Sequence, residues 1–338
     1  MTASERVTVV IPNWNGRKFI GECLDALAAQ SQGRPAVIVV DNGSSDGSSE
    51  FIGSNYPWVN LIPLPSNEGF SRAVNRGIKA AGAPFVALLN NDAVPDPEWI
   101  SELLRAMDSF PEAGSCASKV VFHDDPSTID SAGDQYAPWG MVFNRGHGEP
   151  DDGRFDSPAF VFGPCASAAL YRKSLFDEIG LFDENFFAYY EDTDVNFRAV
   201  LASHPCVYVP SARVRHRYSA SSSGKSSKLG TEEVYIHLTG VLLKNMPGAL
   251  LLKHAISISA VHSAILLFFI VARLRGKNRL PHVPLAKFMF AMLRQRTSTG
   301  KSRRATIPEI ENLFCYRDFP SFLLKKQRGG VRLLEKQP

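Results

Sequence analysis

The residues best suited to chemistry stand in "LLNNDAVPDPEW", where an apolar run from Val86 to Leu89 ends abruptly on Asn90, Asn91 and Asp92. Asn90 and Asp92 have one residue between them, so their side-chain oxygens can face one hard cation of the Mg2+ or Mn2+ kind. A plainer reading is an Asx turn feeding a helix that opens at Pro97. Further on, "YYEDTD" gathers Glu191, Asp192 and Asp194 at what reads as a helix start. Acidic capping of the helix accounts for them on the residues alone.

Such groups need a scaffold, and the first 110 residues supply one. Apolar runs at 7–11, 36–41, 59–64 and 85–89 alternate with helical stretches at about 17–30, 46–55, 69–81 and 97–109. This is the rhythm of a parallel sheet with crossover helices, an α/β fold of Rossmann-like kind. Phe19, Ile20, Cys23, Leu24 and Leu27 recur at helical spacing and predict one buried face. After Gly114 a strand "SCASKVVF" leads into a loop-rich section at 123–160, then a helix from Lys173 to Ile179 and a strand pair near "CVYVP" and "ARVRH". The Ser-rich stretch 218–230 reads as a loop.

In an open α/β sheet, ligands bind beyond the carboxyl ends of the strands. The first strand is followed by "PNWNG", where Pro12 and Trp14 stand; an indole there either stacks on a base or packs between loops. The second ends on Asp41, placed to accept from a ring N–H or to cap the next helix. The third leads to Asn67, Gly69 and Arg72 at a helix start, which favours phosphate or is simply a capped helix hinged at Gly69. The fourth ends on the Asn90–Asp92 group, with Asn91 also at the edge where a diphosphate would arrive. Together the four ends describe a nucleoside diphosphate lying across one edge of the sheet. No Gly-x-Gly-x-x-Gly follows the first strand and no P-loop motif is present, which argues against a nicotinamide cofactor and a P-loop NTPase.

Composition bounds the rest. A hydrophobic content of 44% over 338 residues is ample for a core. The five cysteines are scattered and predict neither a disulfide framework nor a zinc knuckle. The amino terminus lacks the charged-then-apolar order of a secretory signal, so the bulk of the chain is expected in the cytoplasm. From Val271 onward there are 16 Lys and Arg against 4 Asp and Glu, which calls for an anionic partner. Ala255 to Ala272 holds 18 positions without a charge, at the lower edge of what spans a bilayer. Ser259, His262 and Ser263 share one side of that helix, which suits interfacial attachment better than a crossing. The apolar stretch favours a membrane surface over nucleic acid as the partner.

From about Val7 to Tyr218 the chain resembles the inverting glycosyltransferase family 2, with the GT-A fold. "FSRAVNRGI", "LLNNDAV" and "GLFDENFFAYYEDTDVNFRA" look most like the bacterial rhamnosyltransferase-type branch. The resemblance implies base stacking by Trp14, pyrimidine reading by Asp41, and a divalent cation (Mg2+ or Mn2+) held chiefly by Asp92 with Asn90 and His216. Asn90 replaces the first Asp of the family's Asp-x-Asp, which lowers the charge on the cation. The resemblance also implies that Asp192 is the catalytic base, beside Glu191, with Asp194 the nearest rival.

The expectation is then a GT-A domain at 1–230, with a nucleotide-binding half at 1–115 and a catalytic half at 116–230, and a helical, basic, membrane-associating region at 231–338. Its activity would be sugar transfer from a nucleoside-diphosphate donor, dTDP-rhamnose or a UDP-sugar, to a lipid-linked or cell-surface glycan acceptor at the cytoplasmic membrane face. The rivals are a sugar-phosphate nucleotidyltransferase, for which "PNWNG" is the wrong loop, and a non-catalytic membrane scaffold.

Overall fold

The computed structural model describes residues 3–217, 231–274 and 285–316. The Ser-rich stretch 218–230 and much of the basic tail lie outside the described residues. In chain order the strands are β1 (Val7–Asn13), β2 (Ala36–Asp41), β3 (Asn60–Pro63), β4 (Phe85–Leu89), β5 (Ala93–Pro95), β6 (Ser115–Phe122), β7 (Ile129–Ser131), β8 (Asp134–Tyr136), β9 (Val142–Asn144), β10 (Ala159–Val161), β11 (Ala168–Arg172) and β12 (Cys206–His216). Ten of them form one sheet in the order β10-β12-β6-β11-β4-β1-β2-β3, with β5 attached to β12 and β7 to β6; β8 and β9 make a separate ribbon.

The apolar runs become strands because they are covered on both faces, where every side chain gains from burial. In β1, Val7, Val9 and Ile11 join a core with Leu24, Leu27 and Trp99, while Val10 joins a second core with Val74, Ile78 and Val195. All four of these β1 residues are fully buried, and each contributes roughly 1.5–3 kcal/mol. β3, β2, β1 and β4 are parallel neighbours. The chain proceeds from β1 toward β3 on one side and returns to place β4 on the other. The gap between the carboxyl ends of β1 and β4 is therefore the topological switch point, where ligands of such sheets bind.

The four crossover helices occupy Ile20–Ala28, Ser48–Asn55, Phe70–Ala80 and Trp99–Ser109. The first starts later than its apolar pattern because Gly16 O accepts from both Phe19 N and Ile20 N, closing a turn first. The expected strand pair at "CVYVP" and "ARVRH" is one strand, β12, which runs parallel to β6 with a register shift between Val209 and Arg213. Pro210 lies inside that shift, where a residue without an N–H costs the ladder no hydrogen bond.

Beyond residue 230, helices occupy Thr231–Asn245, Gly248–Lys253, Ala255–Leu274, Leu285–Lys301 and Ile307–Asn312. They share a core with the upstream chain: Val241, Leu242, Met246, Phe288 and Met292 cluster with Tyr136, Phe186 and Phe197. Val261, Ile265 and Phe269 pack on Trp139 and Met141. His262 turns inward, its Nε2 lying 3.1 Å from Trp139 O, whereas Ser259 and Ser263 face outward. Ile256, Leu266, Leu267, Ile270 and Leu274 are exposed. Among the described residues, no helix is long and apolar enough to cross a membrane.

Candidate active site at the carboxyl edge of the sheet

Side chains link the ends of β4, β1 and β2. Asn91 Nδ2 donates to Asn13 Oδ1 at 2.7 Å, and Asn13 Nδ2 donates to Asp41 Oδ1 at 2.7 Å. The approach requires Gly16, since a Cβ there would lie 2.1 Å from Asn91 Nδ2 and 2.2 Å from Asn13 Oδ1. Buried Asp41 also accepts from Ser44 Oγ at 2.6 Å, Ser49 Oγ at 2.7 Å and Ser44 N at 3.3 Å. Its two oxygens are thus served by four donors of the chain itself, and a ring N–H would have to displace one of them. Pro12 and Trp14 are half-buried on either side of Asn13, at the mouth of the switch point.

The short strand β5 brings the second group together. It pairs antiparallel with β12 so that Ala93 lies opposite His216, and Arg217 N donates to Asp92 O at 3.0 Å. His216 Nε2 consequently sits 3.3 Å from Asp92 Oδ1 and 3.3 Å from Asn90 Nδ2. Its other nitrogen, Nδ1, is 2.8 Å from Asp130 Oδ2, and the same carboxylate meets His147 Nδ1 at 3.2 Å. Burial pulls the His216 imidazolium down, but the Asp130 and Asp92 carboxylates outweigh it and raise it to about 9. Among the described residues no three His, Cys, Asp or Glu form an all-protein metal cage.

Asp92 fits a divalent cation that takes one or two carboxylates and fills its shell with water and substrate phosphate, and the His216 imidazole beside it suits a transition ion such as Mn2+ better than Mg2+. Asp130 stands where a carboxylate fixes the tautomer and ring direction of a ligating histidine. Rotation of the Asn90 amide would turn its oxygen to the same point. A cation here would displace the His216 proton.

Asp192 lies in the first turn of the helix Glu191–Leu201. Its Oδ1 accepts from Thr193 N at 2.7 Å and its Oδ2 from Ala166 N at 3.2 Å. The next residue of that segment, Ser167, takes Asn90 N on its carbonyl at 2.9 Å. Two consecutive residues thus tie the Asp192 carboxylate to the end of β4. Burial raises the Asp192 carboxyl, against the pull of the Ala166 and Thr193 N–H groups. Burial, with the Asp192 charge adding to it, pushes Glu191 well above the usual range. Asp194 is fully buried and bonded to Arg198, Lys244 and Asn245, so it has no oxygen facing the site.

Asn67, Gly69 and Arg72 hold another junction. Asn67 Oδ1 accepts from Gly69 N and Asn42 Nδ2, both at 3.0 Å. Gly69 has φ +92, and a Cβ on it would meet Phe187 O at 2.6 Å. Phe70 N donates to that same carbonyl at 2.6 Å, so this helix-start N–H, expected to face phosphate, is covered by the chain. Arg72 pairs with Glu184 at 3.4 Å, both well exposed. Sequence reasoning passed over Asn13, Gly16, Asp130 and His147. Asp134 was missed as well, a buried carboxyl that desolvation and the Asp192 and Asp130 charges push well above its ordinary range. For Asn13 the signal available was its place at the end of the first strand; Gly16, Asp130, Asp134 and His147 carried none.

The family model described as Glycosyl transferase family 2 matches residues 8–180, just over half of the chain. The chain belongs to glycosyltransferase family 2. It is 32% identical over 245 residues to the N-acetylglucosaminyl-diphospho-decaprenol L-rhamnosyltransferase of Mycobacterium tuberculosis, a match covering 64% of this chain and 77% of that protein. This similarity places the transferase with the rhamnosyltransferase-type branch. Among solved structures, the GalNAc-T7 complex with UDP, GalNAc and Mn2+ matches with TM-score 0.56 at 15% identity, covering 70% of this chain and 48% of that one. Staphylococcus aureus TarS 1–349 matches with TM-score 0.50 at 16% identity, covering 91% and 78%. At such identities these likenesses establish the mixed α/β GT-A fold of this family member and nothing finer.

Proposed function

We propose that this glycosyltransferase is a metal-dependent inverting enzyme that transfers rhamnose, or a related sugar, from a nucleoside-diphosphate donor to a lipid-linked glycan acceptor. The observation that carries the proposal is the short bridge of Ala166 and Ser167, which sets the Asp192 carboxylate beside the Asn90–Asp92 turn at the switch point. The acceptor hydroxyl oxygen attacks the anomeric carbon while its proton moves to Asp192, and the bond from that carbon to the diphosphate breaks. Attack from the face opposite the leaving group inverts the centre. A bound cation would offset the charge developing on the diphosphate. Asp92, His216 and Asn90 would hold it, with Asp130 keeping the His216 ring in place.

Support for the donor and acceptor comes from the mycobacterial relative, whose name specifies an L-rhamnosyl group and a diphospho-decaprenol carrier. dTDP-rhamnose is the first donor to test, followed by UDP- and GDP-sugars with Mg2+ or Mn2+, scored by release of the nucleoside diphosphate. The expected result is divalent-dependent release with one donor when membrane extract supplies the acceptor. Asp92→Ala is expected to abolish the response to the cation. Release from no donor by the folded protein would overturn the assignment.

The membrane reading draws on the exposed row Ile256, Leu266, Leu267, Ile270 and Leu274 beside a strongly basic sequence. An anionic surface adds about 1 kcal/mol per well-placed Lys or Arg. The enzyme would then work at the cytoplasmic face of the cell membrane. Flotation with vesicles containing anionic lipid should carry the protein, and Leu267→Glu with Ile270→Glu should leave it in the soluble fraction. Equal flotation of both proteins would remove this part of the proposal.

A further inference from the structure

The turn that carries Asp192 is held locally by Arg198, which bonds Asp194 Oδ2 and the carbonyls of Ile179, Gly180 and Leu181, and a second time by residues far downstream. Lys244 is 3% exposed in the helix Thr231–Asn245, and its Nζ lies 2.8 Å from Asp183 Oδ2 and 2.9 Å from Asp194 Oδ2. Asn245 Nδ2 donates to the other Asp194 oxygen at 2.9 Å. Two turns further back, His237 Nδ1 is 3.1 Å from Ala188 O and 3.2 Å from Tyr189 O. Burial lowers His237 to about 4, so the ring is neutral and donates from Nδ1.

The segment so held is strained. Tyr189 and Tyr190 both have φ near +69, a left-handed conformation that costs a non-glycine residue about 1–3 kcal/mol and persists only when its surroundings impose it. Its upstream end is pinned to the nucleotide-binding half through Phe70 N on Phe187 O. Asp192 follows directly, with Asp194 N closing the first turn on Tyr190 O at 3.0 Å. The direction of the Asp192 carboxylate is thereby set from two sides, by the Ala166 N–H and by the clamp on residues 183–194.

We propose that Lys244, with Asn245 and His237, is a positioning group for the catalytic base: the helix Thr231–Asn245 completes the active site from well downstream of the base itself. The inference rests on Asp192 being that base. Lys244 touches neither donor nor acceptor in this account. It fixes Asp183 and Asp194 at the two ends of the strained segment, and so fixes the carboxylate between them.

The test is steady-state transfer by the full chain with Lys244→Met and Lys244→Arg, alongside nucleoside-diphosphate binding by calorimetry and a thermal melt. For Lys244→Met we expect kcat lower by about 10–100-fold, the effect of a small misplacement of a reacting group. Donor KM and nucleotide affinity should stay within about twofold, because the switch-point residues are untouched, and Lys244→Arg should recover most of kcat. Asn245→Ala removes a single neutral contact and keeps the question open to measurement if Lys244→Met fails to fold; its kcat should drop several-fold with KM unchanged. Retained kcat in a folded Lys244→Met or in Asn245→Ala overturns the inference, as does a loss of nucleotide affinity equal to the loss of kcat. Asp192→Asn, measured in parallel, separates the two levels: if it is fully active, the base assignment itself has failed.

Discussion

Asp192→Asn should lower kcat by about 10²–10⁴-fold, the range spanned by a positioned proton-transfer group, with donor KM little changed. The amide keeps the size of the carboxylate and can still accept from one of the two N–H groups, Ala166 or Thr193, that meet it. Folding should therefore survive while the proton acceptor is lost. The wild-type pH profile gives a second check. The base acts only when ionised, so kcat falls as pH drops through the Asp192 pKa. Burial raises that pKa, as it does for buried Glu191 and Asp134. The fall should accordingly begin at higher pH than for an exposed aspartate. An unchanged kcat in Asp192→Asn would sink the assignment.

The second large effect is on stability. Asp194→Ala should destabilise the fold by about 3–5 kcal/mol, because it leaves the buried Arg198 cation without its carboxylate and takes from Lys244 one of its two. Burial alone would raise the Asp194 carboxyl, but Arg198 and Lys244 overcome it and hold the group at about 2. A depressed carboxylate contributes stability that is complete above its unfolded pKa and disappears as pH falls through the folded value. In the wild type, roughly 2 kcal/mol should therefore be lost between about pH 4 and pH 2. Urea midpoints measured across that window, against an Asp194→Ala control in which this component is missing, would show it. The same locked geometry disqualifies Asp194 as a rival base.

The parallel half of the fold was legible because β1, β2 and β4 are buried on both faces. Continuous apolar runs such as "VTVVI" and "FVALL" have few other destinations. The strand ends were legible for the same reason: a polar group following a buried strand must leave the sheet at its edge. What the residues alone did not disclose depends on pairing between distant segments. His216 reaches Asp92 only through the register of β5 on β12, and "AVP" is too short to announce a strand. Asp130 lies in a section whose Gly, Asp and Pro content reads as loop. Asn67 and Gly69 looked like a phosphate cradle; only the fold shows Phe187 against that helix start. Resemblance to the family, rather than spacing, is what drew attention to His216 and Asp192.

The register shift in β12 has a bearing on how this scaffold tolerates change. Past Arg213 the strand runs unbroken to His216, and its side chains alternate between the two faces of the sheet. One residue inserted between Arg213 and His216 would turn the imidazole to the wrong face and strip Asp92 of its neighbour. The same insertion between Val209 and Arg213 falls where pairing is already interrupted, and a slightly larger bulge can absorb it. Length variation among natural or designed relatives should therefore collect at Pro210–Ala212, a built-in slack that lets the outer strand drift without disturbing the chemistry at its end.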